Sequence, residues 1–152
     1  MIASLDGGSI ELTNPDALTT KNFDGENLVK ARLTGMRLEG ASFCDSLLDG
    51  ADLSGADCYA ASFYRARLHG ASMRMGVFKG VDFQLADLQN VDMRGADFEC
   101  YPGTAATDFC HADLGGVLYE GAKFGGSTYD KGTIFPDGFD PVMHGMILVA
   151  SR

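Results

Sequence analysis

The chain has 152 residues, 20 glycines, no tryptophan and a formal net charge of −9 at pH 7. Its length suits one folded domain, and a hydrophobic share of 45% with 22% charged residues argues against disorder. The excess of 21 acidic over 12 basic residues opposes direct binding to nucleic acid or to anionic lipid.

The first predicted element is an N-terminal cap over residues 1–20. The chain begins MIASLDGGSIELTNPD, which has neither the basic start nor the apolar stretch of a signal peptide, and no apolar run is long enough to span a membrane. The four cysteines form no CxxC pair. We therefore expect a cytoplasmic protein with reduced cysteines.

A five-residue repeat follows the cap. From Phe23 to Phe98 every fifth residue is apolar or aromatic, and after a shift of one residue the series resumes at Phe109 and continues to Tyr129. Alanine dominates the position two residues before each centre, and glycine occupies about half of the positions two residues after it. A period of five fits neither an α-helix nor a flat strand, so the chain must turn at every repeat.

Residues twenty apart share a size class, which predicts that four repeats close one coil. One column is all leucine, and another is all phenylalanine: Phe23, Phe43, Phe63 and Phe83. Identical side chains would then stack in a dry interior, in about five coils that lie ~4.8 Å apart, as hydrogen-bonded strands do.

Units such as ADLSG (51–55), ARLHG (66–70) and ADFEC (96–100) resemble those of pentapeptide-repeat proteins. The resemblance covers residues 21–131. It implies an all-β fold, a right-handed quadrilateral β-helix in which the central residue and the small residue before it point inward. Some members of that family resemble B-form DNA in width and charge, and they inhibit or protect gyrase and related topoisomerases.

The repeat is interrupted once and then ends. The spacing of eleven between Phe98 and Phe109 predicts a small bulge near residues 101–106, with Pro102-Gly103 in a turn. Residues 132–152 are expected to form a C-terminal cap, and this block resembles the end of cyanobacterial pentapeptide-repeat proteins. Its apolar stretch, residues 146–149, is expected to lie across the last coil or, alternatively, to pair with a second subunit in a homodimer.

No sequence motif indicates catalysis. The chain has no nucleophile elbow, P-loop, dinucleotide fingerprint or metal-ligand spacing, so we expect no enzyme activity, no cofactor and no metal. Cys100 and Cys110 flank the bulge, and a disulfide between them stays open as an alternative to two free thiols.

The acidic residues are concentrated in the second half of the repeats. Residues 81–131 hold nine acidic and three basic side chains, whereas residues 21–80 hold seven and eight. Within residues 81–131 an aspartate directly precedes the apolar centre in six repeats, and these six form the candidate interaction surface: Asp82, Asp87, Asp92, Asp97, Asp108 and Asp113. The alternative is that they only keep a regular solenoid soluble.

Two functions follow from this pattern. The first is a rigid, non-enzymatic scaffold that binds an unidentified protein partner. The second is an acidic DNA mimic that binds and modulates DNA gyrase or a related type II topoisomerase. A hexapeptide-repeat acyltransferase is strongly disfavoured, because its repeat has a period of six and this one has a period of five.

Overall fold

The computed structural model describes residues 18–150 and, N-terminal to them, the backbone of two short strands. Strands β1 (Ile2–Leu5) and β2 (Gly8–Glu11) form an antiparallel hairpin in which Ile2 lies opposite Glu11 and Leu5 opposite Gly8. The rest of the predicted cap before residue 18 lies outside the described residues.

The repeats form four parallel ladders of single β-bridges instead of long strands. Each bridge joins residues on successive coils, so the coil has four sides, which we call faces 1 to 4. Face 1 contains Asn22, Ser42, Ser62, Asp82, Asp108 and Thr128; face 2 contains Asn27, Leu47, Arg67, Asp87, Asp113 and Ile134; face 3 contains Arg32, Asp52, Ser72, Asp92 and Leu118; face 4 contains Arg37, Asp57, Val77, Asp97 and Lys123.

The backbone of one repeat shows why five residues make one side. The amide of the central Phe63 donates to Asp82 O on the next coil (2.7 Å), and the amide of Asp82 donates back to Ala61 O (3.1 Å). The amide of Ala66 then donates to Phe63 O within the repeat (3.0 Å), which closes a turn. The turn needs a left-handed residue, as at Gly70 with φ 65°, and this explains the frequent glycines.

The interior is filled by the alanine positions and the central residues, nearly all of them fully buried. The predicted phenylalanine column lies behind face 1, where neighbouring rings stack: Phe23, Phe43, Phe63, Phe83 and Phe109, with centroids 4.8–5.4 Å apart. A second stack of Phe78, Phe98 and Phe124 lies behind face 4. The core is therefore a set of continuous side-chain ladders.

The interruption after Phe98 is larger than the one-residue shift in the sequence. Asp82 bridges to Asp108, not to residue 102, so six extra residues leave the coil. Five of these six residues equal one repeat and leave the five-residue phase of the sequence unchanged. Only the sixth residue shifts that phase, so the sequence pattern shows an insertion of one residue. The buried Thr107 hydroxyl accepts from the amide of Gly80 (3.0 Å) and lies 2.9 Å from Phe78 O, which ties the returning chain to the previous coil.

The last coil is followed by a second pair of strands and a layer of aromatic rings. Strands β3 (Thr128–Tyr129) and β4 (Ile147–Leu148) pair in parallel. Between them Phe135 stacks on Phe139 (5.0 Å), and Phe139 packs edge-on against Phe124 and Tyr119. No helix in the part of the chain that the structure describes is both long and apolar enough to cross a membrane.

Candidate protein-interaction surface

The structure places the six predicted aspartates on all four faces. Their positions are Asp82 and Asp108 on face 1, Asp87 and Asp113 on face 2, Asp92 on face 3, and Asp97 on face 4. The pairs on faces 1 and 2 are direct neighbours on successive coils, whereas Asp92 and Asp97 have no aspartate beside them on the adjacent coils of their faces.

All six aspartates have the same local structural role. In each, Oδ1 accepts a hydrogen bond from the backbone amide two residues later, at 2.9–3.2 Å. Asp52 and Asp57 make the same bond in the N-terminal half. The aspartate side chain thus fixes the start of each turn, and one carboxylate oxygen remains for a further contact.

The aspartates on faces 3 and 4 are neutralised within the molecule. Asp92 forms ion pairs with Arg94 (2.6 Å) and Arg74 (3.1 Å), and Asp97 pairs with Lys79 (3.0 Å). The hydrogen bonds from Arg94, with help from Arg74, hold the pKa of Asp92 well below its usual range. These two carboxylates are already engaged.

The four aspartates on faces 1 and 2 have no basic partner within residues 18–150. Among the described residues, Asp113 Oδ2 accepts only from the side-chain amide of Gln89 (2.7 Å). Burial raises the pKa of Asp82, and the neighbouring Asp108 carboxylate adds to the rise. We call these four residues the acidic patch: Asp82, Asp87, Asp108 and Asp113.

The difference arises from the residue type at the equivalent position of the preceding coil, eighteen positions before each aspartate where the spacing is regular. That position holds Arg74 for Asp92 and Lys79 for Asp97. The equivalent residues for the acidic patch carry no permanent positive charge: Tyr64, His69, Gln84 and Gln89.

Two ion pairs lie N-terminal to the acidic patch at the same two faces. Arg65 contacts Asp45 (2.6 Å), and Arg67 contacts Asp49 (2.8 Å) across successive coils. The Arg65 guanidinium also lies 5.4 Å from the Tyr64 ring centroid. On faces 1 and 2 the ion pairs among the described residues therefore lie between residues 45 and 67, N-terminal to the acidic patch.

Sequence reasoning missed a row of projecting side chains at the corner after face 1. On four successive coils this corner has a non-glycine residue in the left-handed conformation, with φ between 55° and 59°: Asp45, Arg65, Leu85 and His111. Residues other than glycine rarely adopt the left-handed conformation. The absence of glycine two residues after the centre in these four repeats is the sequence signal that could have revealed the row. The row lies between the two acidic columns.

A buried carboxylate also went unpredicted. Asp130 Oδ1 accepts from the amides of His111 and Gly132 at 3.0 Å, and its Oδ2 lies 2.7 Å from His111 Nδ1. The Thr133 hydroxyl lies 3.1 Å from Asp130 Oδ1. These contacts hold the loop that contains a one-residue insertion between face 2 residues Asp113 and Ile134.

The described residues show neither a disulfide nor a metal cluster. All four cysteines are free thiols, including Cys100 and Cys110 beside the bulge. Burial raises the pKa of the Cys58 thiol. Within the ranges given above, no three His, Cys, Asp or Glu side chains are arranged to hold a metal ion.

Comparison with known proteins supports the fold. The sequence profile of pentapeptide repeats matches eight copies over residues 27–57 and 61–99. No curated protein sequence matches the chain.

Three solved structures illustrate the likeness. HetL, a pentapeptide repeat protein involved in heterocyst differentiation regulation from the cyanobacterium Nostoc sp. strain PCC 7120, is 30% identical with a TM-score of 0.54. The alignment covers 80% of this chain but only 60% of HetL. A second Nostoc pentapeptide repeat protein is 28% identical over 86% of both chains, with a TM-score of 0.38. QnrB1, a plasmid-mediated fluoroquinolone resistance protein, is 18% identical over 86% of this chain and 92% of its own, with a TM-score of 0.45.

The HetL likeness and the repeat profile agree with the four-sided coil seen here and support a right-handed quadrilateral β-helix. Residues 27–57 and 61–99 of this chain therefore carry pentapeptide repeats, and the repeat region is similar to HetL.

Proposed function

We propose that this chain is a non-enzymatic scaffold that binds a protein partner through the acidic patch on faces 1 and 2. The observation that carries the proposal is the contrast among six aspartates with identical turn geometry. Two are neutralised by Arg74, Arg94 and Lys79, whereas the four in the patch meet no basic side chain within residues 18–150. A partner that supplies lysine or arginine would complete the same pairing between molecules.

The shape of the surface suits a rigid docking site. Each patch aspartate is half-buried and held by a backbone amide, so little side-chain entropy is lost when a cation binds to it. The exposed Leu85 lies at the corner between the two acidic columns and adds an apolar contact. This favours a basic protein surface that also carries an apolar side chain.

A DNA mimic that binds a type II topoisomerase is the second candidate, and local charge density supports it. Residues 81–131 hold nine acidic and three basic side chains in about two coils, roughly 10 Å of solenoid. Duplex DNA carries about six charges in the same length, at one per ~1.7 Å. The match is confined to this half of the rod.

Matched double variants test the proposal. Asp87→Asn with Asp113→Asn removes two patch charges, and asparagine retains a side-chain oxygen for the turn hydrogen bond. Asp92→Asn with Asp97→Asn changes the net charge equally but alters residues that are already paired. Each immobilised protein is exposed to lysate of the source organism at low and physiological salt, and the retained proteins are identified by mass spectrometry.

A basic partner that the wild type and the Asp92/Asp97 variant retain, but the Asp87/Asp113 variant loses, is the expected result. Retention of gyrase or topoisomerase subunits in the same pattern, with competition by duplex DNA, would favour the mimic. Equal retention by all three proteins would exclude the acidic patch as the binding surface.

A further inference from the structure

Both histidines of the repeats lie beside the acidic patch. His69 is exposed in a face 2 repeat, eighteen residues before Asp87. His111 belongs to the row of left-handed residues at the corner after face 1, between Asp108 and Asp113 in the chain. Histidine is the residue type that ordinarily changes its charge between about pH 8 and about pH 5. The acidic patch therefore has two neighbours that become cations on mild acidification.

The position of His69 is one from which a side chain reaches the following coil. Its counterparts in the next two repeats are Arg74 and Lys79, which contact aspartates eighteen residues later at 3.1 Å and 3.0 Å. Short side chains also meet across these two positions, since the hydroxyl oxygens of Ser54 and Ser72 lie 2.7 Å apart. A histidine at this position is therefore long enough to contact the acidic patch.

Three charged residues surround His69 on its own and the two adjacent coils. Asp87 lies on the following coil, and the amide of Leu68 donates to Asp87 O (2.8 Å), which holds the two repeats side by side. Arg67 lies on the same coil as His69 and pairs with Asp49 on the preceding coil (2.8 Å). Asp87 is therefore the carboxylate that a protonated His69 would neutralise.

His111 is held at the surface by the buried Asp130. The carboxylate accepts from the His111 amide (3.0 Å), and its Oδ2 lies 2.7 Å from His111 Nδ1. The ring lies against Gly132, where a Cβ would be 2.6 Å from His111 Cδ2. The His111 side chain remains 42% exposed, so a charge on it acts on whatever binds at this corner. Charged residues reach the corner from three coils: Asp82 and Asp87, Asp108 and Asp113, and Asp130 and Lys131.

From this arrangement we infer that protonation of His69 and His111 weakens the binding of a basic partner to the acidic patch, an inference that rests on the proposed function. A protonated His69 pairs with Asp87 within the molecule, as the basic residues of faces 3 and 4 do with their aspartates. A protonated His111 repels the lysine or arginine of the partner. Burial raises the pKa of Asp82, so acid also removes negative charge from the patch. The partner is thus bound at neutral pH and released in mild acid.

The test measures how tightly the purified full-length chain binds a fluorescent peptide of lysine and leucine residues between about pH 8 and about pH 5.5, at constant ionic strength. Lysine keeps its charge over this range, so a change in affinity arises from the protein. One unit charge at ~4 Å changes affinity about fivefold in water, so two histidines should raise the wild-type dissociation constant about 25-fold on acidification. The double variant His69→Gln with His111→Gln should reduce this change to less than about fivefold, the part that belongs to Asp82.

Two further variants complete the test. His144→Gln is the matched control, because His144 stacks on Phe139 (4.3 Å) in the aromatic layer after the last coil, and it should keep the full pH dependence. His69→Lys examines the pairing without acid, since a permanent cation at this position should weaken peptide binding about fivefold at about pH 8. Circular dichroism at each pH checks that every variant is folded.

An affinity that does not change with pH, or a pH dependence that the double histidine variant retains in full, would overturn the inference. Unchanged binding by His69→Lys at about pH 8 would overturn it equally, because a cation at this position would then not reach the patch. The variant Asp87→Asn with Asp113→Asn separates the two proposals. If it binds the peptide as tightly as the wild type, the proposed function fails; if it loses the peptide while the histidine variants behave as the wild type, only the present inference fails.

Discussion

Replacing a ring in the middle of the phenylalanine ladder tests how the core is stabilised. Phe63 is fully buried, and its ring stacks on Phe43 at 4.8 Å and on Phe83 at 5.4 Å. Phe63→Leu keeps an apolar side chain but removes two ring contacts, each worth about 0.5–1.5 kcal/mol beyond burial. We expect the free energy of unfolding to fall by about 2 kcal/mol.

The end of the same ladder provides the control. Phe23 is only half-buried and stacks on one ring, Phe43, at 5.0 Å, so Phe23→Leu should cost about 1 kcal/mol or less. Urea unfolding followed by circular dichroism measures both variants against the wild type. An unchanged denaturant slope would show that the coils still unfold as one unit. Equal losses at the two positions would refute the ladder explanation, because they would mean that the second ring contact adds nothing.

Three further predictions concern stability, each measured by urea unfolding. Asp130→Ala removes the acceptor for the amides of His111 and Gly132, and should cost about 3 kcal/mol; an effect below about 1 kcal/mol would contradict the role of this carboxylate. Asp92 and Asp82 should respond to pH in opposite ways. Asp92 has a lowered pKa in the folded protein, so its contribution is present above the unfolded pKa and is lost in acid, and Asp92→Asn should lower stability at pH 7. Asp82 has a raised pKa, so its contribution is lost as the pH rises through that pKa, and Asp82→Asn should raise stability at pH 7; the same sign for both variants would contradict this assignment. Gly70→Ala should cost about 1 kcal/mol from backbone strain alone, since a Cβ there meets no atom within 4 Å, and Gly70→Asn should cost less.

Much of the fold could be predicted because each turn is determined by residues within a single repeat. The period of five requires a turn at every repeat, and the all-phenylalanine column from Phe23 to Phe83 reveals that four repeats make a coil. The size of the bulge could not be predicted, because the pattern counts residues only within a period of five. Asp108 therefore bridges to Asp82 over six more residues than a regular coil contains.

The candidate site was less accessible to prediction than the fold. The position of each aspartate relative to its apolar centre identified the six residues, but their partners lie on another coil. Once the coil is known, a spacing of eighteen residues pairs Arg74 with Asp92 and Lys79 with Asp97. The His111–Asp130 contact has no comparable signal, because it depends on a loop that departs from the repeat.

The row of left-handed residues at the corner after face 1 fixes the spacing between the contacts that a partner can make along it. Its side chains start from successive coils, about 4.8 Å apart. An extended peptide presents side chains on one side only at every second residue, about 6.6 Å apart, so its side-chain spacing does not match the spacing of the coils. Neighbouring strands of a sheet have the same spacing as the coils, and residues three and four apart on a helix, at about 5–6 Å, have a similar one. The pitch of the solenoid thus selects the secondary structure of what binds along it, before any side chain is compared.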